Sequence, residues 1–396
     1  MKKVLILNPY LSTLGGGEKH MGYFCRSLEH YYHGRVCIDI LVFNTYGVDV
    51  YAKDYVTVED LNRQFGLKLQ RTKIKKIDLG FSKNRLEWMQ NKKDVEKISK
   101  RYDLFVNFMF LSRHIGRAKV NIYECFFPPK RFAQEWKGLK KLLGIYYDFA
   151  FYHSYSRFIS NSMYTNHWLA QYWKAGRKNT VICPPVFLEH EIQGRYQEAA
   201  KKNVIISVGR FFVGTHSKKQ LSMVQFFARH AEKFLDYEYH LVGAVSEKQE
   251  DVAYLKQVKE AAALSKHIYI HENCSYKELL SLYRAAKIFW HSTGYGEDED
   301  LEPEKMEHFG ITTVEAMSFG AVPVVINKGG QKETVEEGVH GYRWDTEEEC
   351  VEKTCQLIKN NALRTAMANK CVKAAKKYSI EVFHKLNQEV FYELKI

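Results

Sequence analysis

Two α/β halves, each a parallel sheet with helices on both faces, are the fold class that this sequence predicts. Three observations carry the prediction. Short apolar runs alternate with helical stretches in both halves of the chain, as parallel strands joined by crossover helices require. The 396 residues exceed what one hydrophobic core usually organises, so two domains are expected. The alternation restarts after Pro184-Pro185, which marks the junction. Ligands of such sheets gather at the carboxyl ends of the strands, so two Rossmann-like domains predict a binding cleft between them.

In the first half, Val4–Asn8 reads as a buried strand, followed by a small-residue loop from Tyr10 to Gly17 and a helix over Glu18–Leu28. Val36–Phe43 is the next strand, and Leu104–Phe110, Val120–Glu124 and Arg157–Ser160 are later ones. The charged stretch Arg71–Arg101 reads as surface, helical in part. In the second half, strands are expected at Asn203–Val208, Tyr239–Val242, His267–His271, Ile288–His291, Val322–Ile326 and Tyr342–Trp344. Helices are expected at Gln220–Phe234, Glu250–Leu264, Tyr276–Ala286, Thr312–Phe319 and Glu347–Lys359. Two more helices, Leu363–Lys376 and Ile380–Leu394, break at Tyr378-Ser379. No low-complexity tract or short-period repeat interrupts the pattern.

Composition narrows the class. No apolar run approaches the roughly 20 residues of a membrane-spanning helix. The start, Met1-Lys2-Lys3-Val4-Leu5-Ile6-Leu7, has a basic head, but its apolar stretch is very short. Asn8-Pro9 ends it without a small-residue cleavage site, so it reads as a strand and not a signal peptide. Eight cysteines without a CxxC pair imply reduced thiols in a cytoplasmic protein, against a disulfide framework or a zinc site. The net charge of +13 is unevenly spread. Residues 1–187 hold 31 Lys and Arg against 15 Asp and Glu, or +16; the remainder holds 28 against 31, or −3. An anionic partner for the first domain follows, whether nucleic acid, acidic lipid or a phosphate-bearing acceptor.

Chemistry concentrates in Glu307-His308-Phe309-Gly310-Ile311-Thr312-Thr313-Val314-Glu315. Two carboxylates flank a glycine bend and a helix start. The helix start offers free N–H groups and a positive dipole end for phosphate, and each carboxylate can accept two hydroxyl hydrogen bonds. An ordinary amphipathic helix with surface glutamates would share the spacing. Four other segments accompany this one in order: Gly15-Gly16-Gly17-Glu18; Ser160-Asn161-Ser162 with Pro184-Pro185; Ser207-Val208-Gly209-Arg210 with Lys218; and Gly329-Gly330-Gln331-Lys332-Glu333. Together they resemble the family-4 retaining glycosyltransferases of the GT-B fold, whose signature is E-x7-E. The resemblance spans nearly the whole chain and is densest from Val204 to Trp344.

What the resemblance implies is specific. The domains would be 1–187 with about 380–396, on the acceptor side, and 188–379, binding the donor; the final helix would cross back onto the first. The donor would be a nucleoside-diphosphate sugar, used without a metal or other cofactor. Glu307 would face its sugar and Glu315 its ribose. Arg210 and Lys218 would hold the diphosphate, with Lys219 an adjacent competitor because the Val213–His216 insertion blurs the register. Backbone at His308, Phe309, Gly310, Ile311 and Thr312 would approach the sugar and phosphates; Gly310 allows that approach. Glu333 would support the nucleotide, or else be a helix-start glutamate. Gly15, Gly16 and Gly17 would close over the donor phosphates or admit the acceptor.

One departure stands out. Many family members carry a histidine just before Phe-Pro, where this chain reads Tyr123-Glu124-Cys125-Phe126-Phe127-Pro128. Glu124 or an aromatic takes its place. Glu297-Asp298-Glu299-Asp300 resembles a metal-binding DxD but reads as a solvated acidic turn beside the sugar pocket. Lys130–Tyr147 mixes cations with apolar residues and suits either a domain helix or an anionic membrane surface. The expected activity is retaining transfer of a hexose-like sugar to a glycan, lipid-linked glycan or small molecule in polysaccharide or glycoconjugate synthesis. The expected location is cytoplasmic, with peripheral contact at the inner face of the membrane. The alternative is a GT-B-like module that binds sugar nucleotide or nucleic acid without turnover. No nucleic-acid module is recognisable, and no GxGxxG supports an oxidoreductase.

Overall fold

The computed structural model describes residues 1–8, 15–45, 56–80, 85–187, 196–234 and 236–396. It divides into two compact units, Met1–Pro185 with Val382–Ile396, and Val186–Glu381. The first holds a seven-stranded sheet: β1 (Lys2–Leu7), β2 (Val36–Thr45), β3 (Thr72–Gly80), β4 (Leu104–Asn107), β5 (Val120–Cys125), β6 (Arg157–Ser160) and β7 (Asn179–Val181). Their order is β3-β2-β1-β4-β5-β6-β7, every pair parallel. The second sheet holds β8 (Lys202–Val208), β9 (Glu238–Gly243), β10 (Ile268–Glu272), β11 (Ala286–His291), β12 (Val322–Ile326) and β13 (Tyr342–Trp344) in the order β10-β9-β8-β11-β12-β13, again parallel throughout. Both are doubly wound sheets whose central strands are continuous apolar runs, because crossover helices cover both faces.

Several elements differ from the sequence reading. The stretch from Arg71 to Arg101 contains β3 as well as the helix Arg85–Ser99. β3 was hidden by its lysines: Lys73, Lys75 and Lys76 are exposed, as suits the edge strand of a sheet. β7 is three residues long, too short to show periodicity. β4 stops at Asn107, whose Oδ1 accepts the Met109 N–H at 3.0 Å and turns the chain. The helix expected over Gln220–Phe234 ends at Arg229. The first helix begins at Gly16, two residues early, because Glu18 Oε2 accepts the Gly15 N–H at 3.0 Å and caps it. Of the expected loop, residues 10–14 lie outside the described residues.

The last helix, Ile380–Glu393, carries the chain back into the first unit. There Phe383 meets the His20 ring at 5.3 Å, Phe391 meets Phe24 at 5.5 Å and Arg157 pairs with Glu393 at 2.7 Å. In the second unit Trp290 is fully buried between Phe234 and Tyr239, and its Nε1–H donates to Thr354 Oγ1 at 2.9 Å. This anchors β11, the strand that leads into the site.

Candidate active site in the second unit

β8 and β11 pair at the centre of the second sheet, and their carboxyl ends carry the candidate site. After β8 come Gly209 and Arg210; β11 ends on His291. The stem of Lys218 lies across bare backbone at Gly209, where a Cβ would come 2.6 Å from Lys218 Cγ. Ser292 Oγ donates to the Lys218 carbonyl at 2.9 Å and ties the lysine's backbone to the end of β11. Lys218 Nζ and Glu307 Oε2 form an ion pair, and His291 Nε2 lies 3.0 Å from the same oxygen. A carboxylate only accepts, so His291 carries its proton on Nε2.

Electrostatics fix the charge state of this triad. Burial alone would raise the Glu307 carboxyl, but the Lys218 charge and the His291 hydrogen bond outweigh it and hold it well below the usual carboxylate range. His291 is buried and its pKa is lowered by desolvation. His216 is pushed down to about 4, first by burial and then by the Lys218 charge. Its ring stands edge-on to His308 at 4.7 Å. At neutral pH the site holds one carboxylate, one ammonium and neutral imidazoles.

The backbone of Glu307 is pinned from behind. Gly330 N–H donates to the Glu307 carbonyl at 2.6 Å. Gly329 has φ +59°, and a Cβ there would stand 2.3 Å from the same carbonyl, so both the conformation and the space call for glycine. Gly310 has φ +94°, and a Cβ there would stand 2.5 Å from the buried Gln331 Nε2. The helix Ile311–Ser318 starts at that bend. Its first N–H groups lack intrahelical partners, and its dipole adds partial positive charge.

The structure distributes the remaining candidates as follows. Arg210 is exposed, stacks over Phe212 at 5.4 Å and lies close enough for its charge to act on His216, together with Lys218 and Glu307. It therefore shares the region of the acid–cation pair. Lys219 does not. Its left-handed backbone (φ +53°) turns its side chain to Glu297, 2.6 Å away. Lys218 lies just ahead of the next helix, which begins at Gln220 as expected. Phe309 is buried against Tyr378 at 5.1 Å. Ile311 and Thr312 open the helix, and the Tyr283 hydroxyl donates to Glu315 Oε2 at 3.2 Å one turn on. Glu333 sits half-buried on the short helix Gln331–Thr334. Gly15, Gly16 and Gly17 belong to the first unit.

The acidic run acts as a clamp. Glu297 takes Lys219 and Lys305, which push its carboxyl down to about 2. Glu299 accepts the Gly329 N–H at 3.0 Å and pairs with Lys332 at 2.6 Å, so the run is wired to the turn behind Glu307. Glu124 is one of the two candidates for the place of the missing histidine. It is 2% exposed inside the first unit, its carboxyl raised by burial, with His20 Nε2 at 3.8 Å. Sequence reasoning missed His291 and His216; the position of His291 as the last residue of an expected central strand was the available signal.

The geometry separates two neighbouring lysines. Lys218→Ala should weaken nucleoside-diphosphate binding roughly 10- to 100-fold, the scale of a hydrogen bond to a charged group. Lys219→Ala should leave it within about threefold and lower the melting point, because Glu297 loses a partner. Calorimetric titration of both variants checks the order.

Fold and family now converge on a class. Residues 189–378 match the family model described as glycosyl transferases group 1. Across 99% of this chain and 100% of theirs, the fold is similar to that of HepE from Anabaena in complex with UDP and glucose (TM-score 0.67, 16% identity). It is likewise similar to a glycosyltransferase from Rickettsia africae (TM-score 0.67, 18% identity, 99% of this chain and 98% of the other). The second unit therefore matches the group 1 glycosyl transferases, and the chain as a whole has the GT-B fold of these solved structures. Curated relatives named GDP-Man:Man(3)GlcNAc(2)-PP-Dol alpha-1,2-mannosyltransferase are 26% identical over 223 residues in Dictyostelium discoideum and 22% over 228 residues in Homo sapiens. The matches cover 51% and 54% of this chain and 41% and 44% of those relatives, so the chain spans less than half of their length.

Proposed function

We propose that the protein is a retaining glycosyltransferase that moves a hexose-like sugar from a nucleoside diphosphate to a glycan or lipid-linked glycan acceptor in glycoconjugate or polysaccharide synthesis. The observation that carries this reading is the Lys218–Glu307–His291 triad at the carboxyl ends of β8 and β11, beside the start of the helix Ile311–Ser318. Transfer breaks the bond between C1 and the diphosphate oxygen, and the electron pair leaves on the diphosphate. Positive charge grows on the sugar as negative charge grows on the leaving group, so a site needs acceptors near one and donors near the other.

Glu307, ionised throughout the neutral range, serves the sugar. Arg210, Lys218 and the helix N–H groups serve the diphosphate, and the reading needs no metal. The acceptor hydroxyl bonds to C1 on the face the diphosphate leaves, and its proton passes to a leaving phosphate oxygen. Configuration is thereby kept without a covalent sugar–enzyme intermediate. The second unit binds the donor, with Glu315 at the ribose and Glu333 supporting the nucleotide. The first unit, with Gly15–Gly17, serves the acceptor.

The lipid-linked acceptor named for the relatives supports such an acceptor here, and peripheral contact of the first unit with an anionic membrane at its cytoplasmic face goes with it. The test incubates the full chain with a donor panel led by GDP-mannose and UDP-glucose, and follows nucleotide release alongside thermal shifts with the free diphosphates. A bound diphosphate raises the melting point by mass action. Shifts with one base and release from its sugar are expected. A shift without release from any donor would leave a binding module in place of an enzyme.

A further inference from the structure

The helix Leu139–Ser154 in the first unit has two apolar faces, and internal packing accounts for only one. Gly144, Asp148 and Phe151 turn inward: a Cβ on Gly144 would meet Phe132 at 3.0 Å, and Asp148 accepts the Phe132 and Ala133 N–H groups at 3.0 and 2.9 Å. Leu139, Leu142, Tyr146 and Phe149 recur at steps of three and four and so share the opposite face. They are exposed, from 61% at Phe149 to 87% at Leu139. A run of large apolar side chains turned to solvent marks an interaction surface.

Charge says what covers it. Lys140 and Lys141 flank the stripe on its two sides and Lys137 precedes it, all exposed. The cationic excess of the chain belongs to this half, 31 − 15 = +16 for residues 1–187 against 28 − 31 = −3 for the rest. A cavity of about 190 Å³ adjoins the helix and shares Tyr146 with the stripe; Glu96 in its lining pairs with Arg117 at 3.1 Å, which leaves Lys92 and Lys93 as the cationic excess beside Tyr147. The Lys92 ammonium lies 5.4 Å over the Tyr147 ring. Among the described residues no helix is long and apolar enough to cross a membrane, so any lipid contact made by the described helices lies along the surface.

We propose that this helix seats the first unit on an anionic phospholipid bilayer. The stripe enters the boundary between headgroups and acyl chains, Lys137, Lys140 and Lys141 meet the phosphates, and the cavity takes one anionic headgroup. The proposal deepens the lipid-linked acceptor reading and rests on it for its purpose, though not for its geometry. The full chain is floated with vesicles of phosphatidylcholine alone and of phosphatidylcholine with an equal part of phosphatidylglycerol. Binding should favour the mixed vesicles, fall at high salt, and weaken roughly tenfold or more in both Leu142→Ser/Phe149→Ser and Lys140→Glu/Lys141→Glu. These positions are exposed, so melting points and nucleotide release in solution should stay at wild-type values. Equal binding to both vesicle types, no binding, or variants that bind like wild type would overturn the proposal. Self-association of the chain through the same residues without vesicle binding would do so too, and would identify the stripe as a protein interface. Vesicle binding without nucleotide release would instead remove the enzyme reading and leave the surface standing.

Discussion

Glu307→Gln should lower turnover by roughly 10³, the scale of losing one charged group poised at a transition state, while the melting point moves by only a few degrees. The amide is nearly isosteric, and its oxygen can still accept from His291 Nε2. What disappears is the negative charge opposite Lys218. The Lys218 ammonium, only partly exposed, is then left without its counter-charge, and a diphosphate can supply that charge. Nucleoside-diphosphate affinity should therefore hold or tighten in the variant as release of nucleotide from the sugar donor collapses. That divergence separates a role at the reacting sugar from a structural one, which would weaken both together. Single-turnover kinetics and calorimetric titration on one preparation read the two quantities. Wild-type turnover in the variant would take Glu307 out of the chemistry.

The strands that build the site were legible because they are buried on both faces. β8, β11 and β12 are near-continuous apolar runs, and only a central parallel strand needs that composition. β3 was illegible for the converse reason: an edge strand keeps alternate lysines in water, and its charge masks the period. Within the site, the order of the motifs pointed to Glu307 and to a cation near residue 218, but spacing could not say which lysine faced inward. That depends on the left-handed backbone of Lys219, which swings one side chain to Glu297 and leaves its neighbour on Glu307. Such a conformation in a non-glycine residue is set by the surrounding fold and not by local propensity. His291 and His216 were missed because a lone histidine has no spacing to recognise; only the sheet brings them to the same carboxylate.

His20 and His114 in the first unit, with His216 in the second, should make the protein acid-labile well above the usual carboxylate range. His20 and His114 in the first unit are pushed down to about 3, mainly by burial, and His216 in the second to about 4. Unfolded, each would take up a proton near pH 6.5. Between that value and the folded value the unfolded chain binds more protons, so stability falls as pH falls through this window, by up to about 1.4 kcal/mol per pH unit for each group. By pH 4.5 each contributes a loss of roughly 3 kcal/mol. Glu124 opposes this in the first unit: its raised carboxyl stays protonated when folded, so its cost diminishes as pH falls toward 4.5. Lys201 and Lys92, lowered to about 7 and 8, act mostly above the window. Glu297, held at about 2, loses its contribution as pH falls from about 4.5 toward 2, below the window. The histidines therefore decide the sign, and the melting point should drop steeply between pH 6.5 and 4.5. His20→Gln removes a titrating ring from a cage formed by Phe108, Phe126 and Phe383 without adding bulk. It should flatten the first unit's profile by about one proton, at some cost in stability at pH 7.5. Thermal unfolding from pH 7.5 to 4.5 measures both slopes; parallel profiles for variant and wild type would show that His20 is protonated in the folded protein, with Glu124 as its counter-ion and not a neutral neighbour.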